Sequence, residues 1–374
     1  MKISRFSVFS AAVPLLALAF MLIFASSGSV RAETPKSYQV RWVAAHNPTN
    51  QPILKLTQEA ADNMARRSGG RLKVSIVAHD NNTKNRHGSA IYDVFSGEAE
   101  VAQVEAGALR RFSQKMDVLN MPFLLKTHDR VRHVISGSIA DKLKLAVEEG
   151  SGNKLKILAF TYSGGFRVMY GKKAISSIKD LEGAKTTISG PKPIVDFYNS
   201  FGAKFISKDS FTRAQSIDLH REGKIDFEDS ELNRLFVLVH DYPEHLKSIK
   251  YVSETNHMFY LTTILANKAF SESLPKDLRE IFESEVAKLA EAERAFSIKQ
   301  AKESQDYLIK NGVKWVKMNP ADAALFEKRG REFWKQYEGT LGSLIKEIEA
   351  LPGGPVLPKQ KASGEKPRKL VKGE

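Results

Sequence analysis

Residues 275–311 read as one long helix, with a kink allowed, and that segment limits the architectures open to the chain. Pro275 suits a first helical position and Gly312 a helix end. Between them Leu278, Ile281, Phe282, Leu289, Phe296 and Leu308 recur at helical spacing. At 1.5 Å per residue such a helix reaches roughly 50 Å, longer than one lobe of a chain this size. The expectation is a brace spanning two lobes. Chain length agrees, because about 340 residues remain after an N-terminal targeting segment is set aside, which favours two lobes over one core.

That targeting segment is placed at residues 1–32. Lys2 and Arg5 give it a positive start, residues 8–25 form a nearly unbroken apolar run, and "SVRA" ends in a small-residue cleavage pattern after Ala32. An uncleaved membrane anchor is the competing reading, since roughly 18–20 apolar residues just span a bilayer. Pro14 and the small-residue exit favour cleavage. The chain contains no cysteine. It therefore has no disulfide, no thiolate metal site, no thiol nucleophile and no lipid attachment through an N-terminal cysteine. A freely diffusing exported protein, not a lipoprotein, is expected. The formal net charge of +14 is partly terminal, because residues 351–374 form a Pro-, Gly- and Lys-rich basic tail. That tail is expected to be disordered; a grip on anionic lipid or nucleic acid and a merely solvated end both remain open. The body is only mildly basic and holds no aromatic–basic module of a nucleic-acid binder.

The chain opens on alternating elements. "YQVRWVAA" reads as a strand, 51–68 as a helix closed by Gly69-Gly70, "RLKVSIVA" as a strand, 88–96 as a helix and "AEVAQVEA" as a third strand. This β-α-β-α-β order predicts an α/β lobe with a largely parallel sheet. An apolar turn and two helices follow from Met116, and "KLKILAF" resumes strand character before "SGGFRVMYG". A second α/β set then runs to "KSIKYVSETNH" through a strand at 184–188, helices at 194–201 and 210–222 and a strand at 224–227, and "FYLTTILANKAF" follows as a further strand. "GVKWVKM" and helices at 320–337 and 342–350 complete it.

Enzyme signatures are missing: there is no GxSxG elbow, HExxH, P-loop or strand-following GxGxxG. His79 and His87 lie on a polar loop that suits a metal or sugar no better than it suits solvent. "IDFEDSEL" gathers Asp226, Glu228, Asp229 and Glu231, but it lacks the glycine turn and graded ligands of a calcium loop. Those acids could instead cap a helix or pair with cations. Arg167 is the sharper feature. It sits among Phe166, Val168 and Met169, where a guanidinium is costly unless a carboxylate, from the protein or from a ligand, meets its fork.

Taken in order, four stretches resemble the solute-binding proteins of tripartite ATP-independent periplasmic (TRAP) transporters, the DctP type. They are "MDVLNMPFLLKTHDRVRHVISG", "GGFRVMYGKKAISSIKDLEGAK" with its Gly-x-Arg strand and Asp-Leu-x-Gly-x-Lys, "REGKIDFEDSE" and "YVSETNHMFY". The resemblance covers about residues 38–340. It implies an α/β, two-lobed periplasmic-binding-protein (Venus flytrap) fold with crossing hinge strands and a long helix spanning both lobes. Lobe I would comprise 33–163 plus about 257–295, and lobe II 164–256 plus about 296–350. It also implies periplasmic capture of a small ligand, usually an organic acid, closure of the lobes on it, delivery to TRAP membrane subunits, no cofactor, no metal and no chemistry on the ligand. A monomer is expected.

Members of that family are expected to present two arginines to the ligand carboxylate. Arg167 matches the first. The second falls at Thr187, the family's cleft asparagine at Ser230, and a glycine of its pattern at Phe227. These departures predict an unusual ligand: a neutral or hydroxylated molecule, a zwitterion drawn by Glu228 and Asp229, or a carboxylate held differently, with Lys185 or Lys192 as substitute cations. Asn47 beside His46 and Asn50, Tyr92, Glu105, and Phe166 with Tyr162 are further candidates for the ligand wall; capping or core packing explains each as well. Arg167→Ala is expected to abolish ligand-induced stabilisation with the apo fold intact, and Thr187→Arg to favour simple carboxylates. A ligand-binding or ligand-blind regulatory module that contacts an envelope sensor is the alternative function.

Overall fold

The computed structural model describes residues 36–44, 52–78, 86–162, 164–187, 192–206, 211 and 213–352. The targeting segment, Asn47 with His46 and Asn50, His79, and the tail beyond Pro352 lie outside the described residues. The strands are β1 (Tyr38–Ala44), β2 (Leu72–Ala78), β3 (Val101–Glu105), β4 (Leu155–Thr161), β5 (Arg167–Gly171), β6 (Lys185–Thr186), β7 (Lys204–Phe205), β8 (Phe227–Glu231), β9 (Tyr251–Glu254), β10 (Thr262–Asn267) and β11 (Lys314–Lys317). The helices are α1 (Pro52–Arg67), α2 (Arg86–Ser96), α3 (His128–Ser136), α4 (Ser138–Gly150), α5 (Lys192–Asn199), α6 (Arg213–Arg221), α7 (Leu232–Asp241), α8 (Pro243–Leu246), α9 (Lys268–Ser273), α10 (Lys276–Lys310), α11 (Pro320–Phe333) and α12 (Glu338–Ala350).

Two larger sheets result, ordered β2-β1-β3-β10-β4 and β11-β9-β5-β8. β1 pairs in parallel with β2 and β3, as the opening β-α-β-α-β pattern requires, whereas β10 runs antiparallel between β3 and β4. The strand expected at 224–227 lies instead at Phe227–Glu231. Of the segment expected at 184–188, Lys185–Thr186 form a strand paired with β7, and 188 lies outside the described residues.

The chain changes sheets twice through short crossovers, from β4 to β5 and from β9 to β10. These run antiparallel and bond to each other: Phe166 bridges Phe259, the Arg167 amide donates to the Met258 carbonyl at 2.9 Å, and the Tyr260 amide donates to the Gly165 carbonyl at 2.9 Å. They form the crossing hinge of a two-lobed α/β fold.

α10 is 35 residues long, which corresponds to about 52 Å. Its first half packs Leu278, Phe282, Val286 and Leu289 against β1, β2 and α1, while Leu308 joins the core around β5, β9 and α7. One helix therefore braces both sheets. Its middle is tied to the crossover, where Ser297 Oγ donates to the Tyr162 carbonyl at 2.6 Å and Arg294 Nη1 to the Phe160 carbonyl at 3.0 Å. The last helix departs from expectation. Although 296–350 was placed with the second lobe, α12 buries Leu341, Leu344, Ile345 and Ile348 in the core that contains β3, β4 and β10.

Candidate ligand-binding site

The site is built where β3, β5 and β8 end near the crossovers. β5 runs antiparallel to β8, with Arg167 opposite Glu231 and Met169 opposite Asp229. Side chains alternate along a strand, so Arg167 shares a face with Asp229 and Glu231, while Tyr170 shares the other with Glu228 and Ser230. Every residue of "FEDSE" is buried. Burial of such polar side chains is tolerated because each acid meets donors.

Asp229 takes one edge of the Arg167 fork. Nε donates to Oδ2 at 2.8 Å and Nη2 to Oδ1 at 2.6 Å, with a further contact to the Asp229 carbonyl at 3.3 Å. Nη1 has no partner among the described residues, and the side chain keeps 12% exposure. The guanidinium also lies 5.5 Å from the Tyr260 ring centre. Asp229 accepts from the Tyr198 hydroxyl at 3.1 Å and lies 3.3 Å from His257 Nε2. Thr255 Oγ1 lies 2.8 Å from His257 Nδ1, so a ring protonated on Nε2 satisfies all three groups. Burial alone would raise the Asp229 carboxyl, but Arg167 and His257 hold it well below the usual carboxylate range. Burial also pushes His257 down, toward the neutral form. Asp229 thus orients Arg167 and leaves the Nη1 end open.

On the other face Glu228 accepts from the Tyr170 hydroxyl at 2.8 Å, Ser216 Oγ at 2.8 Å and the Thr187 hydroxyl, with His220 Nε2 at 3.2 Å. Burial opposes its charge, and the His220, Thr187 and Ser216 donors overcome that and lower its pKa. Both acids are saturated by the protein's own donors, which removes them as the draw for a zwitterion. Thr187 is likewise committed to Glu228, so an arginine introduced at 187 would meet Glu228 first and not a ligand.

Other candidates are placed less centrally. Phe227, where the family pattern has glycine, is fully buried against Tyr198, with 5.8 Å between ring centres. Ser230 is buried, its hydroxyl 3.4 Å from Glu231 Oε2. Phe166 packs edge-on against Phe259 and His128 at the crossover. Lys192 is exposed and paired with Asp196, Lys185 is exposed on β6 and Tyr92 is exposed on α2.

Glu105, which ends β3 and pairs with Thr262 of β10, is half-buried. Burial pushes its carboxyl up, and the charges of Arg167 and Arg234 oppose that rise. Its charged neighbours, Arg167, Asp229, Glu231 and Arg234, all come from the other sheet or from α7, so the two sheets converge on this group. Arg234 was not anticipated from sequence. It is the third residue of α7 and half-buried, and among the described residues it forms no hydrogen bond or ion pair. The only signal for it was a cation placed in the first helical turn after the acidic strand.

Gly164 makes this packing possible. Its φ is +101°, and an added Cβ would lie 2.4 Å from Glu231 Cγ and 2.9 Å from Glu231 Cβ. Gly164→Ala is therefore expected to displace Glu231 and to cost about 1–3 kcal/mol. A urea unfolding midpoint equal to that of the parent protein would contradict this placement.

The description "bacterial extracellular solute-binding protein, family 7" matches residues 43–207 and 241–340. This chain belongs to that family. A solute-binding protein of Verminephrobacter eiseniae is 26% identical over 219 residues, covering 58% of this chain and 60% of the relative. The 2,3-diketo-L-gulonate-binding periplasmic protein YiaO of Escherichia coli is 20% identical over 255 residues, covering 68% of this chain and 74% of that protein. The fold matches a TRAP periplasmic solute-binding protein of Chromohalobacter salexigens with bound D-glucuronate. That match has a TM-score of 0.73 and 20% identity, and covers 83% of this chain and 99% of the other. No helix among the described residues is long and apolar enough to cross a membrane. The family match skips 208–240, the stretch that carries β8, Asp229, Glu231 and Arg234.

Proposed function

We propose that this family member is exported through cleavage of residues 1–32, captures a small polar solute between its lobes and hands it to the membrane subunits of a TRAP-type secondary transporter as a monomer. The observation that carries this is Arg167, held at the crossing hinge by Asp229 with Nη1 without a partner among the described residues and with its charge acting on Glu105 and Arg234. Family membership supports capture without chemistry; the Escherichia coli relative is a 2,3-diketo-L-gulonate-binding protein, and the Chromohalobacter salexigens structure holds D-glucuronate. The departures at Thr187 and Ser230 mean that the ligand is held differently from the family pattern. With Glu228 and Asp229 saturated, a carboxylate held by a different set of groups is the version the geometry favours. Lobe boundaries near 163–164, 256–257 and 295–296 follow the crossovers and the Ser297 tie.

Native mass spectrometry of the exported protein tests the proposal. A co-purifying small molecule, released on denaturation, is expected. The released molecule, added back at about 100 times its Kd, should stabilise the protein by about 2.7 kcal/mol. A cleft that stays empty, with no solute raising the melting temperature, would overturn capture and leave the regulatory alternative.

A further inference from the structure

We propose that Arg234 is the second ligand-binding cation of this protein, closing with Nη1 of Arg167 on the carboxylate of a hydroxylated monocarboxylate. The inference rests on the capture reading above. It supplies from α7 the charge that the family pattern would place at Thr187.

The placement follows from register. Arg167 lies opposite Glu231 at the end of β8, and α7 starts at the next residue, which puts Arg234 one helical turn from the Arg167 strand end. Across the crossover, the backbone bond from Tyr260 to Gly165 and the pairing of Glu105 with Thr262 bring the end of β3 to the same place. Arg234 feels Glu231, Tyr260 and Arg167, and Glu105 in turn feels both arginines.

The local structure accounts for an arginine there only in part. A cation in the first turn meets the positive end of the helix dipole, and the acid at that end is the N-cap residue, Glu231. Glu231, its strongest electrostatic partner, forms no ion pair with it. Arg167 is a second like charge nearby, already fixed by Asp229 on its other edge. Two neighbouring guanidiniums, one with no ion pair and one with an open Nη1 among the described residues, call for a shared anion.

The surrounding acids set the ligand's charge. Asp229 is held by one edge of Arg167, Glu231 acts on both arginines without an ion pair to either, and burial moves Glu105 toward its neutral form. One carboxylate is accommodated, whereas a second would face the charge of Glu231. Hydroxyl groups on the rest of the ligand would find those carboxyls as acceptors.

The test measures binding of D-glucuronate, D-erythronate, succinate and uncharged D-glucose by calorimetry, with the full exported protein, Arg234→Gln and Arg234→Lys. The parent protein is expected to bind a monocarboxylate more tightly than succinate or glucose. Arg234→Gln should weaken that binding about tenfold to a hundredfold, with the ligand-free melting temperature unchanged, and Arg234→Lys should recover part of the loss. Unchanged monocarboxylate affinity in Arg234→Gln overturns the assignment. A parent protein that binds only succinate, or only an uncharged or cationic solute, also overturns it while leaving capture intact. A parent protein that binds nothing and carries no solute in native mass spectra sinks the capture reading as well.

Discussion

Arg167→Ala is expected to lower the stability of the ligand-free protein by about 3–5 kcal/mol, the range seen when one partner of a buried pair is removed. It should also abolish ligand-induced stabilisation. The first effect revises the expectation from sequence, which left the apo fold intact. Asp229 would lose both donors of the Arg167 fork and keep only Tyr198 and His257 inside the second lobe. Its carboxyl would then rise, because the charge that holds it down is gone. Urea unfolding of Arg167→Ala, Asp229→Ala and the double variant measures this. The double variant should be more stable than the sum of the single losses implies, with a coupling of about 0.5–3 kcal/mol. An apo midpoint unchanged in Arg167→Ala, or fully additive losses, would show that the pair does not hold the site together.

The second large effect concerns Glu293, a buried acid on α10 with 1% exposure. Its carboxylate accepts from Gln103 Nε2 on β3, with Thr161 of β4 as a second donor, and Gln103 Oε1 accepts from Thr57 of α1. Arg294 is the charged group that acts on it, and its guanidinium is turned to the Phe160 carbonyl. Burial outweighs these donors and pushes Glu293 up to about 7. The unfolded chain releases that proton near pH 4.5, so the folded state holds one proton more between those values. Stability must therefore fall as pH rises through this window. The loss amounts to about 3 kcal/mol once the pH exceeds the folded value. Glu293→Gln removes the titration, so its stability relative to the parent should gain about that much between pH 4 and pH 8. A difference that stays flat across that range would exclude Glu293 as the source.

The parts of the fold that could be read in advance are those whose signals are local. Pro275, Gly312 and an apolar stripe are enough to mark α10, and Gly69-Gly70 marks the end of α1. β8 could not be read in this way. "FEDSE" has the composition of a loop, and it is a buried strand only because Arg167 and Tyr170, about 60 residues earlier in sequence, come alongside to meet its acids. The same non-local pairing explains why Arg167 could be singled out but its partner could not be chosen among four acids. Arg234 carried no more than its place one turn after the acidic strand, since its environment exists only after β3, β8 and the crossovers converge.

The laced crossovers carry a mechanical consequence. One linker between two halves permits swivelling about any of its bonds. Two strands stitched side by side, with a rigid rod fastened across them at Ser297, resist twist and sliding and leave bending as the soft direction. A solute gripped from both sides has a single mode to drive, and every molecule that closes presents the same outer shape to whatever docks on it.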